Sequence, residues 1–226
     1  MEKQKNTQTP TSMEESLNQS EAFFLKYKNA IIGCVVVLIV VVAGIMWYRT
    51  YAADKQNEAS TAMAKAQENF QNGLFEVALN GDSTNTAGFL KIASDFGSTK
   101  AGNLANLYAG LCYANLEKWD EAAKYLEKFD EADDQMISPA ALGALGNVYA
   151  HLNQADKAVS TLKKAAERAN NNSISPTLLI QAGQILEKQG NKAEALKLYK
   201  QVKEKYFKSM QTQSQTIDEF IERVSE

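Results

Sequence analysis

Polar and apolar positions divide the chain into three stretches of different texture. Met1 to about Ser20 is dominated by Gln, Thr, Ser and Asn and offers little to pack, which predicts a disordered tail over residues 1–20. Residues 30–48 then read AIIGCVVVLIVVVAGIMWY, with no polar face, and no charge falls between Lys28 and Arg49. From residue 52 onward apolar residues recur at helical spacing among Ala, Leu, Lys, Glu and Gln, so helix is expected almost everywhere.

The apolar run has the dimensions of a membrane span. As a helix it would extend about 28 Å, close to the roughly 30 Å hydrocarbon core of a bilayer. Val and Ile are weak helix formers in water, but lipid forces internal hydrogen bonding and overrides that weakness. Trp47, Tyr48 and Tyr51 gather at one end and Tyr27 at the other, as interfacial belts do, while Lys26, Lys28 and Arg49 can snorkel outward. Residues 21–51 are therefore predicted as a lead-in, with Phe23 and Phe24 at headgroup level, followed by a transmembrane helix. A cleaved signal peptide would have a shorter core than this one. Ile31-Ile32-Gly33-Cys34 looks like a lipobox, yet its long apolar run follows the cysteine instead of preceding it. A buried core strand or helix fits poorly, because the run is apolar on all faces and stands next to a polar tail. Lysines on the tail side roughly balance Arg49, Lys55 and Lys65 on the other, so charge gives only a slight lean to a cytoplasmic tail.

Beyond the run the chain repeats itself. Gly110, Gly146 and Gly183 stand 36 and then 37 residues apart. At fixed offsets after them come Tyr113, Tyr149 and Leu186, then Ala122, Ala158 and Ala195, then Leu126, Leu162 and Tyr199. A glycine on one helix, a wedge one turn later and a small alanine on the next helix form the pattern of a closely crossed helix pair. Polar turns separate the two helices of each pair, with Asp120 and Asp156 placed as caps of the second helix. Ser138-Pro139 and Ser175-Pro176 read as a serine N-cap followed by proline at the first helical position. Repeats are expected over 103–136, 139–172 and 176–209. A degenerate unit is expected over 54–96, built of a helix at 54–79 and another at 87–96. In 210–226, Ile217, Phe220, Ile221 and Val224 form one stripe suited to a capping helix.

Composition narrows the function. The net charge is −3, which gives no basic field for nucleic acid. His151 is the lone histidine, and no Gly-rich phosphate loop, HExxH or CxxC is present, so no catalytic, cofactor-binding or metal site and no small-molecule substrate is predicted. Cys112 sits mid-helix, where a buried structural thiol is expected. Asp133-Asp134 reads as a solvated turn.

The repeat spacing and its Gly, Ala and Leu positions resemble the tetratricopeptide repeat (TPR) family. That resemblance implies an all-α fold, a transmembrane helix followed by a right-handed α-solenoid over about residues 52–209. It also implies a partner-binding groove lined by the first helix of each pair. Carried onto this chain, the groove positions are Leu107, Leu111 and Asn115, then Asn147, Ala150 and His151, then Ile180, Gln184, Glu187 and Lys188. The basic clamp by which some TPR domains grip acidic chaperone tails is absent, since Leu107 and Leu111 stand where Lys and Asn would be expected.

The order of parts is similar to that of YfgM-like proteins, ancillary subunits of the Sec translocon: a tail with Phe23-Phe24, one anchor, then divergent repeats containing Phe96-Gly97-Ser98-Thr99-Lys100-Ala101-Gly102 and Trp119-Asp120-Glu121-Ala122. This likeness implies a bacterial inner-membrane protein with a cytoplasmic N-terminus and periplasmic repeats. Its partners would be proteins (translocon subunits, chaperones or exported clients) and the membrane itself, through Ala30–Tyr48. The alternative is a structural subunit of another secretion or division complex of the envelope.

Overall fold

The structure, a computed structural model, describes residues 12–82 and 86–225, with side chains from Glu21 onward. Contacts divide the chain into two units, Met1–Asp54 and Lys55–Glu226.

The first unit is helical. Helix α1 spans Ser12–Gln71, and from Ile32 to Tyr51 every side chain is exposed. Among the described residues it is the one helix long and apolar enough to cross a bilayer. It begins before the boundary predicted at Ser20. The remainder of the predicted tail, residues 1–11, lies outside the described residues.

The second unit is a stack of helices and contains the core. Residues 55–71 of α1 open it, followed by α2 (Phe75–Asn80) and α3 (Phe89–Asp95). The predicted helix at 54–79 is thus interrupted: Gly73 adopts φ +73, and its neighbour Leu74 bonds back to Asn69. Only glycine takes that backbone conformation without a Cβ clash. Phe70 then meets Phe75, Phe89 and Tyr108 edge-on, while Phe89 and Tyr108 stack at 5.0 Å, which closes the degenerate unit onto the first full repeat.

Three helix pairs follow: α4 (Lys100–Asn115) with α5 (Trp119–Leu126), α6 (Ile137–His151) with α7 (Ala155–Ala169), and α8 (Ser175–Lys188) with α9 (Lys192–Lys205). Packing follows chain order, α6 on α7, α7 on α8 and α8 on α9. The predicted glycines are where the pairs cross. A Cβ on Gly146 would lie 2.7 Å from Leu162 Cγ, one on Gly110 2.6 Å from Leu126 Cγ, and one on Gly183 would run into the Tyr199 ring. Ala122, Ala158 and Ala195 are completely buried beside these crossings. Each pair turns through a residue with positive φ, at Glu117, Asn153 and Gly190.

The predicted caps are corrected. Asp120 and Asp156 lie inside the first turns of α5 and α7 and accept no capping hydrogen bond; they act only as favourable charge at a helix N-terminus. Ser138 and Ser175 do not cap either. Both are fully buried and bond upstream: Ser138 Oγ donates to Asp134 Oδ2 at 2.6 Å and accepts from Ala132 N at 2.9 Å in the linker after α5, and Ser175 Oγ donates to Ala166 O of α7 at 2.8 Å. The amides at the helix starts are taken by residues upstream. Asp134 Oδ1 accepts from Met136 and Ile137, and Asn171 Oδ1 accepts from Ser173 and Ile174. Burial would raise the Asp134 carboxyl, but bonds from Ser138 Oγ and from these amides outweigh that and hold it below the usual carboxylate range.

The stack ends in α10 (Met210–Gln213) and α11 (Thr216–Ser225). The single predicted capping helix is therefore two, separated by Gln215 at φ 60. The predicted stripe packs as expected against α9, with Ile217 and Val224 buried and Phe220 at 5.3 Å from the Tyr199 ring.

One edge of the stack is tied together by side chains. Ala101 N donates to Gln56 Oε1 at 3.4 Å, and Asn103 bonds Asp130 in both directions. Asn171 Nδ2 donates to Gln135 O at 3.1 Å, and Gln211 Nε2 to Thr177 Oγ1 at 3.1 Å. The edge therefore gathers the starts of α4, α6, α8 and α10, the ends of α5 and α7, and the residue at which the repeat unit itself begins.

Candidate partner-binding trough

Helices α6 and α8 run side by side, and their facing residues line a trough. One hollow of about 330 Å³ is bounded by Asn147, Ala150 and His151 from α6 and by Gln181, Gln184, Ile185 and Lys188 from α8. A second, of about 370 Å³, continues it through Asn147 and Gln181 toward Gly143, Ala144, Ile174 and Leu178. The small residues of α6 leave the space, and the amides of Asn147, Gln181 and Gln184 edge it.

Five predicted positions thus meet in one place: Asn147, Ala150, His151, Gln184 and Lys188. The others do not join them. Leu107 and Ile180 are buried in the core, and Leu111 packs half-buried against the cluster that contains Leu107, Ala122 and Leu126. Asn115 is exposed, and its Nδ2 donates to Leu111 O of its own helix at 2.8 Å. Glu187 is engaged elsewhere: Arg223 donates to both of its oxygens, at 2.8 and 2.9 Å, and Tyr199 OH donates to Oε1. The bond from Arg223 holds the Glu187 carboxyl below its ordinary range, and burial with the Glu187 contact pushes the Tyr199 phenol up.

The sequence reading does not single out Gln181, Ile185, Gly143, Ala144, Ile174 or Leu178 of the trough, nor Trp119 against His151. Gln181 and Ile185 fall at i, i+4 on the same face of α8 as Gln184 and Lys188, so helical periodicity alone pointed to them. Trp119 stacks flat on His151, with ring centroids 3.9 Å apart and planes 5° from parallel, and this fixes the imidazole at the trough's end. That contact spans two repeats and left no local signal. Gln181 Oε1 is buried without a hydrogen-bond partner, a costly state for an amide and one that a ligand N–H would relieve.

The chemistry of the surface is that of contact. Among the described residues no three His, Cys, Asp or Glu side chains come close enough to hold a metal ion. Burial pushes the Cys112 thiol up to about 12, so it stays protonated and inert. Lys188 is the one charge bordering the trough, whereas the outer helices carry paired charges such as Lys164 and Arg168 on Glu131.

Antiparallel helix pairs stacked in chain order, crossing at a Gly against a Leu or Tyr, with a trough lined by first helices, define an α-solenoid of the protein-interaction type. The chain belongs to the tetratricopeptide repeat-like domain family, whose profile matches residues 21–218. Solved structures agree on the fold. The nearly identical TPR-like repeats of a kinesin-light-chain-type protein from Podosopora anserina superimpose with a TM-score of 0.53 at 14% identity, covering 75% of this chain and 94% of that one. The MamA protein superimposes with a TM-score of 0.52 at 12% identity, covering 74% and 89%. No curated protein matches the sequence. The protein is a TPR-like scaffold for protein–protein interaction, a fold that is typically non-catalytic and whose domains bind protein partners.

Proposed function

We propose that this chain is a single-pass membrane protein that holds a polypeptide-binding trough at a bilayer surface. One observation carries the reading: a charge-free apolar stretch of α1, exposed at every position from Ile32 to Tyr48, shares a chain with an amide-lined trough. Exposed apolar surface costs about 25 cal/mol for each Å² in water, and lipid removes that cost. Ala30–Tyr48 crosses the bilayer. Trp47 and Tyr51, stacked at 5.9 Å, sit at one interface, and Phe23 with Tyr27, 4.8 Å apart, at the other.

The likeness to YfgM-like proteins supports a bacterial inner-membrane setting, with the tail in the cytoplasm and the repeats in the periplasm. In that setting the trough engages translocon subunits, chaperones or emerging exported chains, as an accessory of the Sec translocon. Tethering the trough beside an exit raises its effective concentration without demanding tight affinity.

The test is co-purification from mild detergent. Sec subunits and unfolded clients are expected with the parent protein. Asn147→Arg combined with Gln184→Arg should cut their recovery about tenfold by placing unpaired charge in the trough. A folded double variant that recovers partners as well as the parent would defeat the reading. Protease protection in sealed spheroplasts reports the side: cleavage of the repeats from outside supports it, and full protection reverses the topology.

A further inference from the structure

The repeat unit exposes few large apolar side chains: Leu74, Met136, Ile137, Phe207 and Met210. Four of these five, all but Leu74, lie on the tied edge described above. Met136 and Ile137 stand at the start of α6, and Phe207 and Met210 flank the passage from α9 to α10. Phe207 is 57% exposed and Met210 76%.

Charge differs between these two corners. Around Met136 it is acidic, with Asp130, Asp133 and Asp134 nearby. Around Phe207 it is basic. Lys203 is satisfied by Asp218 at 2.7 Å, but Lys205 and Lys208 have no carboxylate partner among the described residues. Their ammonium groups stand over the rings of Tyr206 and Phe207, at 5.2 and 5.7 Å. Apolar side chains ringed by unpaired lysines match an anionic headgroup layer, where the lysines meet phosphate and the apolar groups reach the acyl boundary.

Chain length adds an independent constraint. The repeat unit begins at Lys55, and Gln56 bonds Ala101 on this same edge. The apolar run ends at Tyr48, and α1 continues without a break through Lys55 to Gln56, a rise of about 12 Å along the helix from Tyr48.

We propose that this edge is a second membrane contact, resting on anionic lipid through the corner of Phe207, Met210, Lys205 and Lys208. The contact rests on the membrane-anchor reading above and goes beyond it, because it adds a second attachment point on the repeat unit.

The test uses the full chain with Cys34→Ser, so that buried Cys112 is the only native thiol left, and a fluorophore on Met210→Cys. A matched protein carries the fluorophore on Lys192→Cys, at the far end of α9. Both are reconstituted into vesicles of phosphatidylcholine and phosphatidylglycerol with brominated acyl chains. Quenching at position 210 should exceed that at 192 by about twofold, and should be lost in phosphatidylcholine alone or with Lys205→Glu plus Lys208→Glu. Equal quenching at both positions, or none at 210, in vesicles that retain the chain through alkaline carbonate would overturn the contact while leaving the anchor intact. Release by carbonate would instead defeat the anchor reading, and the contact with it. A signal at 210 that requires other membrane proteins would assign the edge to a protein surface and reject the lipid.

Discussion

The apolar run of residues 30–48 and helix α6 are both built mainly of hydrophobic residues, yet they use them in opposite ways. In α6 the buried positions include Pro139, Ala141, Gly143 and Gly146, and their small size draws Leu162 and Leu178 in close. In the run, Val, Ile and Leu are bulky and exposed on every side, and nothing lies within 4 Å of a Cβ built on Gly33 or Gly44. Apolar content alone does not make a core. Close crossing requires small residues facing large ones, whereas a lipid-facing helix needs only breadth and no charge.

Substitution should separate the two regions cleanly. Gly146→Val places a side chain where Leu162 already stands and should cost about 3 kcal/mol, since the completely buried Leu162 has little room to move. Urea denaturation of the purified protein measures it. Gly33→Val, the same change in open space, should leave that transition unmoved, and an equal loss would erase the contrast. The next largest effect lies in the run. Val37→Arg should weaken membrane retention by about 2.5 kcal/mol, read as partial release by alkaline carbonate. Ala140→Arg, on the exposed side of α6, should release nothing.

Acid gives a smaller contrast. Glu187 and Asp134 are held below their ordinary range in the folded stack. Each therefore contributes stability above the unfolded carboxylate value of about 4, and loses it as pH falls through the lower folded value. No carboxylate lies between Lys28 and Arg49. Lowering the pH from 5 to 2 should loosen α11, freeing Phe220 from Tyr199, while the run keeps its helicity. Circular dichroism with hydrogen exchange distinguishes the two, and a stack unchanged at pH 2 would count against the Glu187–Arg223 tie.

What could be read in the chain follows the same division between near and distant causes. The Gly110, Gly146 and Gly183 crossings were legible because size complementarity leaves small and large residues at constant offsets. The break at Gly73 was legible too and was passed over. The caps differ from the pattern because Ser138 and Ser175 carry the local signature of a helix start, while their hydroxyls bond upstream, Ser138 to Asp134 in the linker and Ser175 to Ala166 of α7. Half of the positions carried over from the family register meet at the trough. Leu107 and Ile180 turned out to be core, and Glu187 was claimed by Arg223, thirty-six residues away, a pairing that no window of sequence displays.

Because packing passes from each helix mainly to its successor, the domain has no keystone. Tension applied at Lys55 would be carried through the layers in series. The unit held by Phe70, Phe89 and Tyr108 would be first in line to yield, opening like a zip and leaving the trough between α6 and α8 intact behind it.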